Sequence, residues 1–361
     1  MSRILWLAHR DISDPRSGGA ERSIYELTTR LADLGHTVSI WTTQPRGAPN
    51  RVIDSNVEII RVPTYLGSHA ALPLYLLRRS SNVDLAVDDL GHVVPWPSSA
   101  WIFPRGITYF RHLHRRTLWG QVPRLVGGAL GALEHTYRVL YSERQFVTES
   151  LAAKSDLEHL GIPRSRVHRI PPGVSHSIFR PRARSVCPRM FYFSGLRRSK
   201  RPELALRLLH AVRRNGENAE LVMVGDGPLR SQLVDVAESL ELANVVRFTG
   251  RLSQHEVAAL LGTAWLHVLP SPAEGWGFTA LEASAAGVPT VGFRVPGVED
   301  AVGGGSGILA PEGDFDRFVS SALEILRGDR AGWEHSCREW AHRFTWESSA
   351  RAWSDLAISL S

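Results

Sequence analysis

Two carboxylates flank a pair of glycines in Pro270-Ser271-Pro272-Ala273-Glu274-Gly275-Trp276-Gly277-Phe278-Thr279-Ala280-Leu281-Glu282-Ala283. An apolar run ending at Leu269 precedes this segment and a helical pattern follows it, so it reads as the turn from a strand into a helix. Gly275 and Gly277 let the backbone approach a ligand closely, and the helix start adds amide donors and a partial positive charge. Glu274, in the turn, can accept hydrogen bonds from hydroxyl groups. Glu282, about a turn inside the helix, can hold a diol. Spacing alone equally allows a plain strand-to-helix turn with one solvated glutamate and one favoured by the helix dipole.

Other clusters carry less. Arg197-Arg198-Ser199-Lys200-Arg201 is a cationic turn. Fixed cations stabilise an anionic leaving group best where water is scarce, but a solvated basic turn looks the same. His112 and His114 stand among Arg111, Arg115 and Arg116. A His-x-His pair could bind metal, yet no acidic residue stands beside it to complete a ligand set, and no metal site is expected. Asp88-Asp89 could pair as acid and base, or cap and face solvent. Gly225-Asp226-Gly227 lacks the third glycine of a dinucleotide fingerprint, and no Gly-x-Gly-x-x-Gly follows the first strand, which excludes an NAD enzyme.

These groups need elements to hold them. At the N-terminus, Ile4 to Ala8 reads as a strand, and Glu21 to Leu34 carries Ile24, Leu27, Leu31 and Leu34 at helical spacing. Gly35 sits where a helix-ending glycine belongs, and Val38 to Trp41 returns as a strand. This βαβ unit implies a parallel sheet. Further strands are expected at Val57–Val62, Asp84–Val87, Ala100–Phe103 and Gln145–Thr148. Beyond the proline-marked linker at Arg180–Pro188, strands at 190–193, 220–224, 245–248, 265–269 and 289–293 alternate with helices at 202–214, 229–240, 253–261, 278–286 and 316–326. Strict alternation predicts a doubly wound α/β domain, with ligands at the carboxyl ends of its strands.

A length of 361 residues suits two domains. With 43% hydrophobic and 22% charged residues the composition is that of a globular protein, and no apolar run approaches the length of a membrane span. The short apolar start is cut off by His9, Arg10 and Asp11, so it reads as a buried strand rather than a signal peptide. Two distant cysteines, Cys187 and Cys337, exclude a disulfide framework and suit a cytoplasmic setting. The net charge of +6 favours anionic partners without choosing among them.

The glutamate pair enclosing Gly-Trp-Gly-Phe, followed by Ala-Ser-Ala-Ala-Gly-Val-Pro, resembles the signature of family-four retaining glycosyltransferases of the GT-B fold. Gly18-Gly19-Ala20-Glu21-Arg22 is similar to that family's N-terminal glycine loop. Met223 to Pro228, Phe248 to Leu252, Val295-Pro296-Gly297 and Pro171-Pro172-Gly173-Val174 resemble its other landmarks, in the family's order. The resemblance implies two Rossmann-like doubly wound α/β domains facing a central cleft: an acceptor domain over 1–180, a nucleotide-sugar domain over 181–335, and a helix over 336–361 that crosses back.

The resemblance also implies roles. Glu282 would bind the nucleotide ribose and Glu274 the transferred sugar, with Gly275, Trp276, Gly277 and Phe278 around them and Gly227 nearby. Gly18 and Gly19 would offer backbone amides to the diphosphate. Lys200 and Arg197 would neutralise the leaving diphosphate, and His112 would contact the donor or reaction centre. The family usually carries Gly-Arg-Leu where this chain has Ser194-Gly195-Leu196-Arg197. Either Arg197 substitutes for the displaced arginine, or Lys200 works with Arg198. No cofactor is implied; a UDP- or GDP-linked sugar is the co-substrate, and nucleic acid is not a partner. The rival reading is a non-catalytic or partner-dependent nucleotide-sugar-binding protein.

For the acceptor, the expectation is a glycan, a lipid-linked saccharide or a small aglycone, approached by Arg111, His114 and Arg115. From Arg105 to Arg124 arginines interleave with Tyr109, Phe110, Leu113, Leu118 and Trp119, without an acid, and Leu72 to Leu77 ends in Arg78-Arg79. This reads as a basic surface with exposed apolar residues, suited to peripheral contact with the inner face of a membrane, or else as core with solvated arginines.

Overall fold

The computed structural model describes residues 1–91, 94–114 and 124–360. The chain forms two compact units, Met1–Gly173 with Trp346–Ser361, and Val174–Thr345.

The first unit is built on an eight-stranded sheet. Its strands are β1 (Arg3–Leu7), β2 (Thr37–Thr43), β3 (Arg51–Asp54), β4 (Val57–Val62), β5 (Leu85–Leu90), β6 (Ile107–Phe110), β7 (Gln145–Thr148) and β8 (Val167–Arg169), ordered β3-β4-β2-β1-β5-β6-β7-β8. All neighbours run parallel except β3 and β4. The order reverses between β1 and β5, which makes the carboxyl ends of those two strands the switch point of the sheet. β1 and β5 are buried almost throughout, as strands covered on both faces are, and β5 is apolar but for Asp88 and Asp89.

The connecting helices are α1 (Gly19–Asp33), α2 (Tyr65–Arg79), α3 (Pro97–Ile102), α4 (Arg124–Glu134), α5 (Tyr137–Leu140) and α6 (Leu151–His159). α1 buries Ile24, Leu27 and Leu31, and Gly35 follows at a φ of +93°. Residues 100–103 are not a strand: Pro97 opens α3, where its missing N–H and fixed φ suit the first helical turn. The strand lies further on, at β6. Gly106 leads into it, and a Cβ there would stand 2.7 Å from the carbonyl oxygen of Ala86.

The second unit holds a fully parallel six-stranded sheet: β9 (Arg189–Phe193), β10 (Glu220–Val224), β11 (Val246–Gly250), β12 (Leu266–Leu269), β13 (Thr290–Phe293) and β14 (Gly307–Ala310), ordered β11-β10-β9-β12-β13-β14. Its helices are α7 (Pro202–Arg214), α8 (Arg230–Ser239), α9 (Gln254–Leu261), α10 (Phe278–Ala285), α11 (Val298–Ala301), α12 (Phe315–Arg327) and α13 (Arg330–His342). The switch point falls between β9 and β12.

The last helix, α14 (Trp346–Leu360), belongs to the first unit. Trp353 packs on Trp6, with ring centroids 4.9 Å apart, and edge-on to Tyr109. Ser354 bonds His36 at 2.8 Å, and Arg30 pairs with Glu347 at 3.1 Å. The sequence boundary at 335/336 falls inside α13, which packs on α10 within the second unit. The chain instead leaves that unit at Thr345, after a break at Arg343-Phe344-Thr345. Among the described residues, no helix is long and apolar enough to cross a membrane.

Candidate functional site

The loops leaving β9 and β12 meet at the switch point of the second sheet. From the first comes Lys200, from the second Glu274. The Nζ of Lys200 donates to both carboxylate oxygens of Glu274 at 2.6 Å each. The pair is partly open to solvent, with side chains 29% and 15% exposed. A cation and a carboxylate thus stand in contact where a parallel sheet takes its ligand.

Three backbone contacts hold this pair. The amide of Glu274 donates to the carbonyl of Pro296 at 3.1 Å. Gly297, in the loop after β13, has a φ of +79°, and a Cβ there would lie 2.1 Å from the carbonyl oxygen of Glu274. On the other side, the amide of Lys200 donates to the carbonyl of Arg197, and the amide of Leu196 to that of Asp226. Gly225 and Gly227 let the loop after β10 press on this turn: a Cβ at Gly225 would meet the Ser194 carbonyl oxygen at 2.0 Å, and one at Gly227 the Leu196 carbonyl oxygen at 2.4 Å. Close backbone packing therefore accounts for Gly227 without a ligand.

Gly277 opens α10 at a φ of +103°, a conformation that favours glycine. Gly275 is half-buried and Glu282 is buried one turn inside the helix. Trp276 is core: it is 1% exposed and its ring meets Phe344 edge-on at 5.4 Å. Phe278 packs against the same core. Arg197 and Arg198 are both exposed, and the Arg197 side chain folds back so that its Nε is 3.5 Å from where a Cβ of Gly195 would sit.

In the first unit Gly18 caps α1, and its amide donates to Glu21 Oε2 at 2.7 Å, which sets the carboxylate of Glu21 against the helix start. Beside it, Arg10 pairs with Glu21 at 3.2 Å, and a small cavity is lined by Arg10, Asp11, Glu21, Tyr25 and Thr42.

Arg111 is not part of an open basic surface. It is buried, with Nε 2.9 Å from Asp89 Oδ1, Nη1 2.8 Å from Glu149 Oε1 and Nη2 3.2 Å from the carbonyl of Ala20, in the first turn of α1. Burial opposes its charge, but Tyr109, Asp89 and Glu149 outweigh it and hold the guanidinium pKa above its ordinary value. His114 is buried as well. Its amide donates to Glu134 Oε1 at 2.6 Å, its Nε2 lies 3.2 Å from the carbonyl of Gly91, and burial pulls its pKa down, so it is neutral near pH 7. His112 is half-buried with its ring 4.8 Å from that of His114. Tyr109, Phe110 and Leu113 are core. Arg115, Arg116, Leu118 and Trp119 lie outside the described residues, as does the side chain of Arg124.

Asp88 and Asp89 are neither a catalytic pair nor solvated caps. Asp88 is buried against Arg144 at 2.9 Å and accepts from Ser99 at 2.7 Å, while Asp89 is taken by Arg111. Adjacent strand residues point to opposite faces of the sheet, so each finds its own arginine. Sequence reasoning missed Glu149 and the bracing role of Gly297. A glutamate directly after β7, at the carboxyl edge of the sheet, was the available signal for the first.

Residues 17–178 match the family described as Glycosyltransferase Family 4, and residues 179–342 match Glycosyl transferases group 1. The chain is a family-four glycosyltransferase. D-inositol 3-phosphate glycosyltransferase 2 from Catenulispora acidiphila is 29% identical to this glycosyltransferase, over 94% of this chain and 90% of that protein. Sucrose-phosphate synthase from Thermosynechococcus elongatus superposes with a TM-score of 0.83 at 18% identity, covering 100% of this chain and 99% of that one. HepE from Anabaena, in complex with UDP-glucose, gives 0.77 at 16% identity over 100% of both chains. The fold of this glycosyltransferase is GT-B, with two parallel-sheet Rossmann-like domains. Its Lys200–Glu274 contact lies in the group 1 portion, and the buried Arg111 cluster in the family-four portion.

Proposed function

We propose that the protein transfers a sugar from a UDP- or GDP-linked donor to an acceptor hydroxyl with retention of configuration and without a metal ion. The donor is taken by the second unit, and a glycan, lipid-linked saccharide or small aglycone by the first. The observation that carries this reading is the Lys200–Glu274 contact at the β9/β12 switch point. On binding, the donor exchanges that internal ion pair for two external ones: Lys200 turns to the diphosphate, and Glu274 accepts hydrogen bonds from the sugar hydroxyls. Glu282 holds the ribose diol from within α10. Either Arg197 or Arg198, both exposed beside Lys200, supplies a second cation.

The bond between the anomeric carbon and the diphosphate oxygen breaks as negative charge grows on the leaving group. Lys200 stabilises that charge more in the transition state than in the ground state. The acceptor oxygen bonds to the same face of the anomeric carbon, and its proton passes to the departing diphosphate. The side-chain cation neutralises charge that a metal supplies in other enzymes, which supports the metal-independent reading. UDP-glucose in the HepE complex, on the same fold, supports a nucleotide-sugar donor.

The test is a screen of UDP- and GDP-sugars for nucleotide release, repeated in excess EDTA, with the product's anomeric configuration read by NMR. Release that persists in EDTA, with the donor's configuration kept, is the expected result. Loss of activity in EDTA overturns the metal-independent reading, and inversion overturns the same-face displacement.

A further inference from the structure

α2 turns an apolar stripe outward. At 100° per residue, Leu66, Ala70, Pro73, Leu74 and Leu77 fall on one side of the helix, while Ser68, Leu72 and Leu76 fall on the buried side. Leu66, Leu74 and Leu77 are 78%, 54% and 68% exposed. α3 packs against α2 and adds Trp101, 77% exposed. From Tyr65 to Leu77 the helix carries no Asp, Glu, Lys or Arg, and the helix then ends in the exposed Arg78 and Arg79. Arg105, three residues beyond α3, is also exposed. No acidic residue occurs between Ile59 and Val83, or between Leu90 and Leu133.

A surface helix of a globular domain points its charged residues at water and its apolar residues at the core. α2 is apolar on both sides. Water is therefore a poor neighbour for its outer face, and the cations sit at its end rather than across it. That pattern, with leucines for depth, a tryptophan at the rim and arginines beside them, matches a helix lying in the boundary of a bilayer. We propose that the α2–α3 face docks on an anionic lipid surface, with Leu66, Leu74, Leu77 and Trp101 entering the acyl boundary and Arg78 and Arg79 meeting the headgroups.

Charge decides between a bilayer and a second copy of the chain. A two-fold dimer through this face is self-complementary and brings the same patch to both sides. Arg78 and Arg79 of both copies then border one interface, with no acidic residue on α2 or α3 of either copy to offset them. An anionic bilayer supplies the missing negative charge. Of the basic surface expected from the sequence, Arg111, Tyr109, Phe110 and Leu113 are interior, and the proposal rests on its Leu72–Arg79 part, where Leu74, Leu77, Arg78 and Arg79 are exposed, extended by Leu66 and Trp101. It does not depend on the transfer reading, because docking is measured without any substrate.

The test is flotation of the full chain with vesicles of mixed phosphatidylglycerol and phosphatidylcholine, against phosphatidylcholine alone, at low salt and in ~1 M salt, where the screening length falls to ~3 Å. The protein is expected to float with the anionic vesicles at low salt. Arg78→Ala with Arg79→Ala should lower the partition about fivefold per arginine and remove most of its salt dependence. Leu74→Glu with Leu77→Glu should lower it roughly tenfold or more at either salt. All four side chains are exposed, so thermal unfolding should not move, and this controls for misfolding. Equal flotation of the leucine variant overturns the proposal. So does failure of the wild-type chain to float with anionic vesicles at low salt. A concentration-dependent dimer in sedimentation that Leu74→Glu with Leu77→Glu abolishes, without lipid binding, assigns the face to a second copy instead.

Discussion

Replacing Glu274 by Gln should pull donor binding apart from transfer. In the resting protein the Lys200 ammonium is held by both oxygens of Glu274 at 2.6 Å, so a diphosphate must first displace that carboxylate. A charge-assisted hydrogen bond contributes about 1.5–3 kcal/mol net. With the side chains 29% and 15% exposed, screening by water trims this to about 1–2 kcal/mol. That is about a 5- to 30-fold change in a dissociation constant. Glu274→Gln releases Lys200, so free UDP or GDP should bind about 5- to 30-fold more tightly in titration calorimetry. The same variant loses the charged acceptor of the sugar hydroxyls, so kcat/KM for transfer should fall by at least about tenfold. Lys200→Ala is the converse: turnover should drop more than donor affinity, because its charge partner grows during bond cleavage. If Glu274→Gln binds free nucleotide diphosphate no better than wild type, Lys200 is not its phosphate ligand and the exchange of ion pairs is wrong.

Gly297→Ala places a Cβ 2.1 Å from the Glu274 carbonyl oxygen at a φ of +79°, whereas Gly313→Ala, at +83°, meets nothing within 4 Å. The first should lose transfer activity and about 1–3 kcal/mol more stability than the second; equal urea midpoints would refute the bracing of Glu274. Arg111→Ala removes the cation that pairs the buried Asp89 and Glu149 and should cost about 3–5 kcal/mol in chemical denaturation, while a loss below about 1 kcal/mol means the cluster is solvated. His267, buried in β12, has its pKa lowered by burial to about 3, below its ordinary ~6.5. The unfolded chain therefore takes the proton first on acidification. Its contribution is intact above ~6.5 and falls by up to about 1.4 kcal/mol per pH unit toward 3. Urea titrations of His267→Gln should show a pH slope shallower by about one proton than wild type over that range, and identical slopes would exclude the buried neutral histidine.

The second unit was the more legible half. Its helices and strands alternate at short intervals, and the Ser253/Glu256 capping box forms at the start of α9. The first unit misled at 100–103, where an apolar run beside Pro97 became a helix turn and the strand slid to β6. The short edge strand β3 and the closing strand β14 were not anticipated, since four residues of a weak pattern carry little period. At the site, residue types could be read but not their pairing: Lys200 and Glu274 are 74 positions apart, joined only by the order of strands. Arg111 looked like part of a basic surface because the carboxylates that claim it, at 89 and 149, come from the ends of other strands.

The two units differ in how the chain supplies them. The second is one uninterrupted stretch, complete once Thr345 has been made, while the first is split and lacks α14 until the residues after Thr345 have followed. Before then Trp6 and Tyr109 lack the cover that Trp353 gives them. During synthesis from the N-terminus, then, the unit begun first is the one finished last. The contiguous unit can fold on the ribosome, whereas the split one must wait, with an exposed aromatic surface, until α14 has been made.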